Sequence, residues 1–155
     1  MGDKMNKSIS VSDNKSKMKN KTCLIDGHKF DSVMEGKYYC YLKREIESGK
    51  ILEIKLQPKI ELQAAFDKNG EHHKPIMYYA DFWVKYADGS EVYIDTKGML
   101  TDVFSIKRKL FAFRYDTPLV VITASEKYSS TGWIETDKLI KIRLENKKLK
   151  KVVAK

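Results

Sequence analysis

Histidine, cysteine and proline are scarce in this chain of 155 residues, with three, two and three copies respectively. Cys23 and Cys40 fit no zinc spacing, so free thiols are expected rather than a metal or disulfide framework. His72 and His73 stand beside Glu71, but adjacent histidines point to opposite sides of an extended chain. No further ligand has a suitable spacing, so this stretch is expected to be a polar loop. No apolar run approaches the roughly 20 residues of a membrane span. The N-terminus is basic yet lacks the apolar core of a secretory signal, so a cytoplasmic protein with no membrane partner is expected. A glycine-rich phosphate loop, a nucleophile elbow and a Cys–His arrangement are all missing, and no internal repeat is visible.

What is present suits one domain with a real core: 42% of residues are hydrophobic and 11% aromatic. Thirty Lys and Arg oppose 21 Asp and Glu, a formal net charge of +9. Such an excess favours polyanions, nucleic acid first and anionic membrane second. The plainer alternative is a soluble basic protein with no polyanion partner.

Residues 1 to 22 are rich in Lys, Asn, Ser and Met without apolar periodicity, and read as a disordered basic arm. A domain is expected over 23–145, followed by a basic tail over 146–155. Its first helix is capped by Asp31 or Ser32, runs to about Ser48 and ends at Gly49. Residues 51 to 57 alternate as a strand, with Leu52, Ile54 and Leu56 on one face and Glu53, Lys55 and Gln57 on the other. Pro58 interrupts it, Ile60 and Leu62 resume an extended path, and Asn69-Gly70 signals a turn. Residues 76–86 and 91–97 form two strands of a hairpin. Ile76, Tyr78, Ala80, Phe82 and Val84 are expected on one face of the first. A second helix follows over about Thr101–Tyr115, capped by Thr101 or Asp102, with an apolar stripe of Val103, Ile106, Leu110 and Phe113. The apolar run after Pro118 reads as a strand covered on both faces. From Trp133 onward helix and strand are both open. The order helix, three strands, helix, strand gives an α/β fold: a mixed central sheet flanked by helices.

The hairpin carries the chemistry. Asp95 and Lys97 are two apart, so both leave one strand face. Asp81 reaches that face only if the hairpin loop is odd in length. The loop Ala87-Asp88-Gly89 suits a type I turn with a G1 bulge and sets residue 81 opposite 95. Two carboxylates beside a lysine are costly to assemble unless a cation neutralises them. Burying Asp81 in an otherwise apolar run costs several kcal/mol without a partner. A divalent metal resolves both, and suggests metal-assisted hydrolysis. Taken alone, Asp95 and Lys97 also read as an exposed ion pair. Glu35 shares a partly apolar helix face with Tyr39, Leu42 and Ile46, and reads either as a third acid or as a solvated residue near a helix N-terminus.

Four blocks in order, Phe30-Asp31-Ser32-x-x-Glu35, Leu56-Gln57-Pro58, Tyr79-Ala80-Asp81-Phe82 and Asp95-x-Lys97-Gly98, resemble the PD-(D/E)-x-K nuclease superfamily. More narrowly, they look like a phage and prophage family within it, over residues 22 to 124. Ala80 stands where the superfamily name has Pro. The resemblance implies an αβββαβ, restriction-endonuclease-like core and a metal-dependent endonuclease acting on DNA, with branched or replicating DNA as one option. It implies Mg²⁺ or Mn²⁺ held by Asp81, Asp95 and the main-chain carbonyl of Thr96, with Lys97 as catalytic lysine and Glu35 as a helix acid that completes the metal shell or binds a metal-held water. For a phage protein the expected location is the host cytoplasm. Gln57, on the polar face of its strand, is a candidate for a hydrogen bond to DNA. Lys107, Arg108 and Lys109 would meet phosphates or form a solvated helix face. DNA is the expected partner, a homodimer is left open, and a non-catalytic nucleic-acid-binding module on the same scaffold is the competing function.

Overall fold

A computed structural model of the chain describes residues 10–12 and 21–153. Strands β1 (Ser10–Ser12), β2 (Thr22–Ile25) and β3 (His28–Phe30) form a small antiparallel sheet. The expected basic arm lies largely outside the described residues. Within it, Ser10–Ser12 pairs with Thr22–Leu24. Helix α1 (Val33–Glu47) starts where Ser32 Oγ accepts from the Glu35 N–H, and its last turn closes at Ser48 before Gly49 at φ +77°. Its buried face is Gly36, Tyr38, Tyr39 and Leu42. A Cβ on Gly36 would lie 2.4 Å from Cys23 Sγ, so glycine is what lets α1 rest on β2.

Strand β4 (Ile51–Leu56) departs from simple alternation. Its pairing shifts between Ile51 and Glu53, leaving Leu52 in a bulge and 60% exposed. Leu52 therefore does not share a buried face with Ile54 and Leu56; Ile51 is buried in its place. β5 (Lys59–Gln63), β6 (Phe66–Lys68), β7 (Glu71–His73) and β8 (Ile76–Tyr79) make an excursion from the main sheet. β5 pairs with β8, and β6 pairs with β7 across the Asn69-Gly70 turn. The segment expected to be a polar loop is thus a tight hairpin, with both turn residues at positive φ.

The main sheet is completed by β9 (Phe82–Tyr86), β10 (Glu91–Thr96), β11 (Leu119–Ala124) and β12 (Trp133–Glu135). Helix α2 (Asp102–Arg114), capped by Thr101, joins β10 to β11, and α3 (Thr136–Val153) closes the chain. The strand order is β12-β11-β10-β9-β4, with β10 and β11 parallel and the other pairs antiparallel. This is the mixed sheet with flanking helices that the sequence predicts.

Alternation along the strands splits the core into two layers. Val92, Ile94, Ile122, Phe82 and Val84 pack with Tyr38, Tyr39 and Leu42 of α1. Leu119 and Val121 pack with Phe104 and Phe111 of α2, over Ile60, Leu62 and Tyr78. Phe82 and Phe111 are fully buried, one in each layer, and truncating either to Ala would cost about 3–5 kcal/mol.

Two expectations fail here. Residues 76–86 are not one strand, because pairing breaks at Ala80 and Asp81. Tyr78 and Ala80 then pack in the α2 layer, while Phe82 and Val84 pack in the α1 layer. The expected α2 stripe is also turned outward. Val103, Ile106 and Phe113 are exposed and Leu110 is half-buried, while Phe104 and Phe111 face the sheet. The helix has apolar residues on two faces, and the sheet selects the aromatic one.

Candidate active site

The β9–β10 loop is the odd one that the sequence predicts. Tyr86 N–H donates to Ser90 O at 2.9 Å and Gly89 N–H to Tyr86 O at 3.0 Å, with Gly89 at φ +86°. Asp88 Oδ1 accepts from the Ser90 N–H at 2.9 Å and fixes the turn. Lys85 pairs with Glu91, Trp83 with Tyr93 and Phe82 with Ile94. The next step in that register sets Asp81 opposite Asp95, and there the ladder stops.

At that point a side chain takes over from the backbone. Asp81 Oδ2 accepts from Thr96 N–H at 2.6 Å and from Thr96 Oγ1 at 2.8 Å. Asp81 O accepts from the Gln57 N–H at 2.9 Å, so β4 holds the Asp81 main chain in place. Gln57 itself has φ +47°, a left-handed conformation that costs a non-glycine residue roughly 1 kcal/mol or more. Burial, then the nearby Asp95 and Glu35, push the Asp81 carboxyl up to about 7, and the two Thr96 hydrogen bonds offset only part of that.

Asp95 is 1% exposed. Its Oδ2 accepts from the Tyr78 hydroxyl. Its Oδ1 pairs with Lys97 Nζ at 2.7 Å, and beyond that ion pair this buried oxygen accepts no hydrogen bond. Lys97 Nζ also sits 4.8 Å from the centre of the Phe104 ring, a cation–π contact that keeps the ammonium beside the carboxylate. Burial and the Asp95 carboxylate raise the Tyr78 hydroxyl well above the usual phenol range, so it stays a donor.

Glu35 arrives from α1. Its Oε1 accepts from Ser32 Oγ at 2.9 Å and its Oε2 from the Asp31 N–H at 3.1 Å. With the Glu35 N–H to Ser32 Oγ bond at 3.1 Å, this is a variant of the capping box in which the carboxylate takes the N–H of the residue before the cap. Burial is the main cause that raises its carboxyl above the usual range, with Ser32 and Asp31 opposing. Glu35, Asp81, Asp95, Thr96 and Lys97 line one open cavity of about 680 Å³, together with Tyr78, Met99, Phe104 and Lys107.

The remaining candidates divide. Lys107 lines the cavity, with Nζ 3.5 Å from Met77 O. Arg108 does not face it: a two-pronged pair with Asp137, at 3.2 and 2.5 Å, holds its guanidinium against α3. Lys109 and Gln57 are exposed and line no part of the cavity. Tyr78 is the residue that sequence reasoning missed. Its parity with Phe82 assigned it to the core, and the break at Ala80 that re-aims its hydroxyl has no periodic signal.

A divalent cation fits the donor set, although among the described residues no three His, Cys, Asp or Glu side chains form a ligand group. The fit rests on Asp95 Oδ1, a buried carboxylate oxygen that has the Lys97 ammonium as its partner and no hydrogen bond besides, beside a second carboxylate raised by burial and then by its acidic neighbours. Oxygen donors of this hardness suit Mg²⁺ or Mn²⁺.

The fold and site thus define a mixed α/β protein with two acids and a lysine gathered at one end of its sheet. The chain belongs to the family described as "Protein of unknown function (DUF1064)", whose profile matches residues 15–130. No curated protein and no solved structure matches it. The matched segment contains every residue of the cavity and ends before β12 and α3.

Proposed function

We propose that this protein is a metal-dependent endonuclease that hydrolyses DNA phosphodiester bonds on the PD-(D/E)-x-K plan. One observation carries the reading: Asp81, Asp95 and Lys97 converge on one cavity, where the buried Asp95 Oδ1 has the Lys97 ammonium as its partner and no hydrogen bond besides. The element order α1-β4-β9-β10-α2-β11, with β5–β8 as an excursion, supports the αβββαβ core.

Asp95 through Oδ1, Asp81 through the oxygen not taken by Thr96, and the Thr96 main-chain carbonyl would hold the cation. Bound there, it would supply Lewis acidity and a more acidic water. Tyr78 fixes the Asp95 carboxylate from behind through Oδ2. Lys97, held between Asp95 and the Phe104 ring, offers its ammonium to an oxygen of the scissile phosphate and offsets charge developing there. Lys107 extends positive charge along the cavity wall. Glu35 acts as the helix cap that sets this wall, with its charge felt by Asp81. Branched or replicating DNA is included as substrate in the proposal.

The competing reading, a non-catalytic DNA-binding module, draws on Glu35 being engaged as a cap, which leaves two acids for a metal. Incubation with plasmid, single-stranded and branched DNA, with Mg²⁺ or Mn²⁺ and with chelator, separates the two. Cleavage is expected with metal and lost with chelator. Asp95→Ala and Lys97→Ala should each lower it by at least ~10²-fold while circular dichroism stays unchanged. Cleavage that survives both substitutions would remove the assignment.

A further inference from the structure

The cavity draws nothing from the last quarter of the chain, yet topology carries that quarter back to it. β11 runs parallel to β10 with Ile122 beside Thr96, and Lys97 N–H donates to Ile122 O at 3.0 Å. The loop after β11, residues 125–132, therefore leaves the sheet at the same end as Lys97 and Gly98. β12 turns away from that end, antiparallel to β11. α3 then starts against β11 and β12, with Leu139 buried and Asp137 paired to Arg108 of α2. It runs back until Arg143, Asn146, Lys147, Lys150 and Lys151 meet Tyr128 of the loop around an open concavity of about 440 Å³.

Arg143, Lys147, Lys150 and Lys151 are spaced by four, seven and eight, which is one helical face. Glu145, two residues from both Arg143 and Lys147, falls on the other side. Among the described residues, none of these four cations has an ion pair of the kind that holds Arg108 or Lys138. Like charges four apart repel on an isolated helix, and an opposing polyanion removes that cost. A membrane surface fits less well. The exposed Leu144, Leu149 and Val152 share their arc with Lys141, Glu145 and Lys148, so α3 has no continuous apolar face to bury.

We propose that α3 and the β11–β12 loop form a backbone clamp that binds DNA phosphates outside the cavity, so that the substrate is a long duplex rather than a nucleotide or short fragment. This rests on the reading of the cavity as a DNA-cleaving site. Its cations all lie on α3, beyond the residues that match the family, whereas Tyr128 lies within them.

The test is fluorescence anisotropy with a fluorescein-labelled linear DNA duplex in chelator, where no cleavage contributes. The triple variant Lys147→Ala/Lys150→Ala/Lys151→Ala is compared with Lys29→Ala/Lys68→Ala/Lys74→Ala, an equal loss of charge at exposed positions elsewhere. For the first variant, affinity should fall roughly ten- to hundredfold, and the slope of log K against log salt should become shallower by about 2–3. Its hydrolysis of bis(4-nitrophenyl) phosphate with Mn²⁺ should match the wild type, because that small diester cannot reach the clamp. Equal losses in both triple variants would overturn the clamp, and so would an unchanged salt slope. Tighter wild-type binding to phosphatidylserine vesicles than to duplex, lost in the first variant, would overturn it in favour of a membrane. A wild type that binds duplex through these lysines but never cleaves it supports the clamp and removes the nuclease reading instead.

Discussion

Asp81 does two things with one carboxylate. It replaces the missing rung of the β9–β10 ladder by accepting two hydrogen bonds from Thr96, and burial, then the nearby Asp95 and Glu35, raise it to about 7. A carboxyl with an unfolded value near 3.9 and a folded value near 7 binds more protons folded than unfolded across that window. The metal-free protein should therefore lose stability as pH rises from about 4 to about 7, on the order of 2–4 kcal/mol, with Glu35 adding in the same direction. Asp81→Asn keeps an oxygen for Thr96 and removes the charge, so it should flatten that dependence and stabilise the metal-free protein at neutral pH. Urea unfolding at several pH values in chelator reads this directly. Parallel curves for the two proteins would mean that Asp81 does not feel its neighbours.

At the scale of elements, the odd hairpin loop is what brings the acids together. A Cβ on Gly89 would meet nothing within 4 Å, so any cost of a side chain there is purely conformational. Gly89→Val should lose about 2 kcal/mol through forced positive φ. It should also lower activity out of proportion to that loss, since a slip of one residue turns Asp81 away from Asp95. Thermal unfolding and a plasmid-nicking assay on the same sample would show it; full activity at the wild-type midpoint would refute the register argument. This loop was legible because Asp88-Gly89 is local turn chemistry. The caps at Ser32 and Thr101 were legible for the same reason. The strand break at Ala80 was not, since apolar parity runs through it unbroken and only the three-dimensional change of layer reveals it. Nor was the orientation of α2, whose Val103–Phe113 stripe and Phe104–Phe111 pair are equally periodic.

For the whole molecule, the two core layers clamp a sheet whose end holds opposed charges that the fold alone does not reconcile. A cation bound only by the folded form stabilises it by about 2.7 kcal/mol at a hundredfold excess over its dissociation constant. For a domain of this size that is a rise in Tm of roughly 5–10 °C. Differential scanning fluorimetry with Mg²⁺ and Mn²⁺ should record such a rise for the wild type and a much smaller one for Asp81→Asn. A melting curve indifferent to saturating metal would count against the site. The sheet's composition and the convergence of Asp81, Asp95 and Lys97 were readable in advance because hairpin and crossover are short-range patterns. The bulge at Leu52 and the capture of Arg108 by Asp137 depend on partners far along the chain. β12 and α3 gave no decisive pattern, as their apolar residues suit strand and helix alike.

The seat of α1 on β2 has a chemical consequence. Gly36 leaves no gap above Cys23, which is 4% exposed and whose thiol donates to Ser32 O at 3.5 Å. Burial and the Glu35 charge raise this thiol above its usual range, so little thiolate is offered to alkylating reagents. Cys23 and Cys40 both line an open pocket of about 630 Å³ on the far side of α1 from Glu35, with the Cys23 sulfur the more buried of the two. Labelling of Cys23, set against the half-buried Cys40, should therefore quicken in any variant that loosens the start of α1, the segment that also carries Glu35 to the cavity.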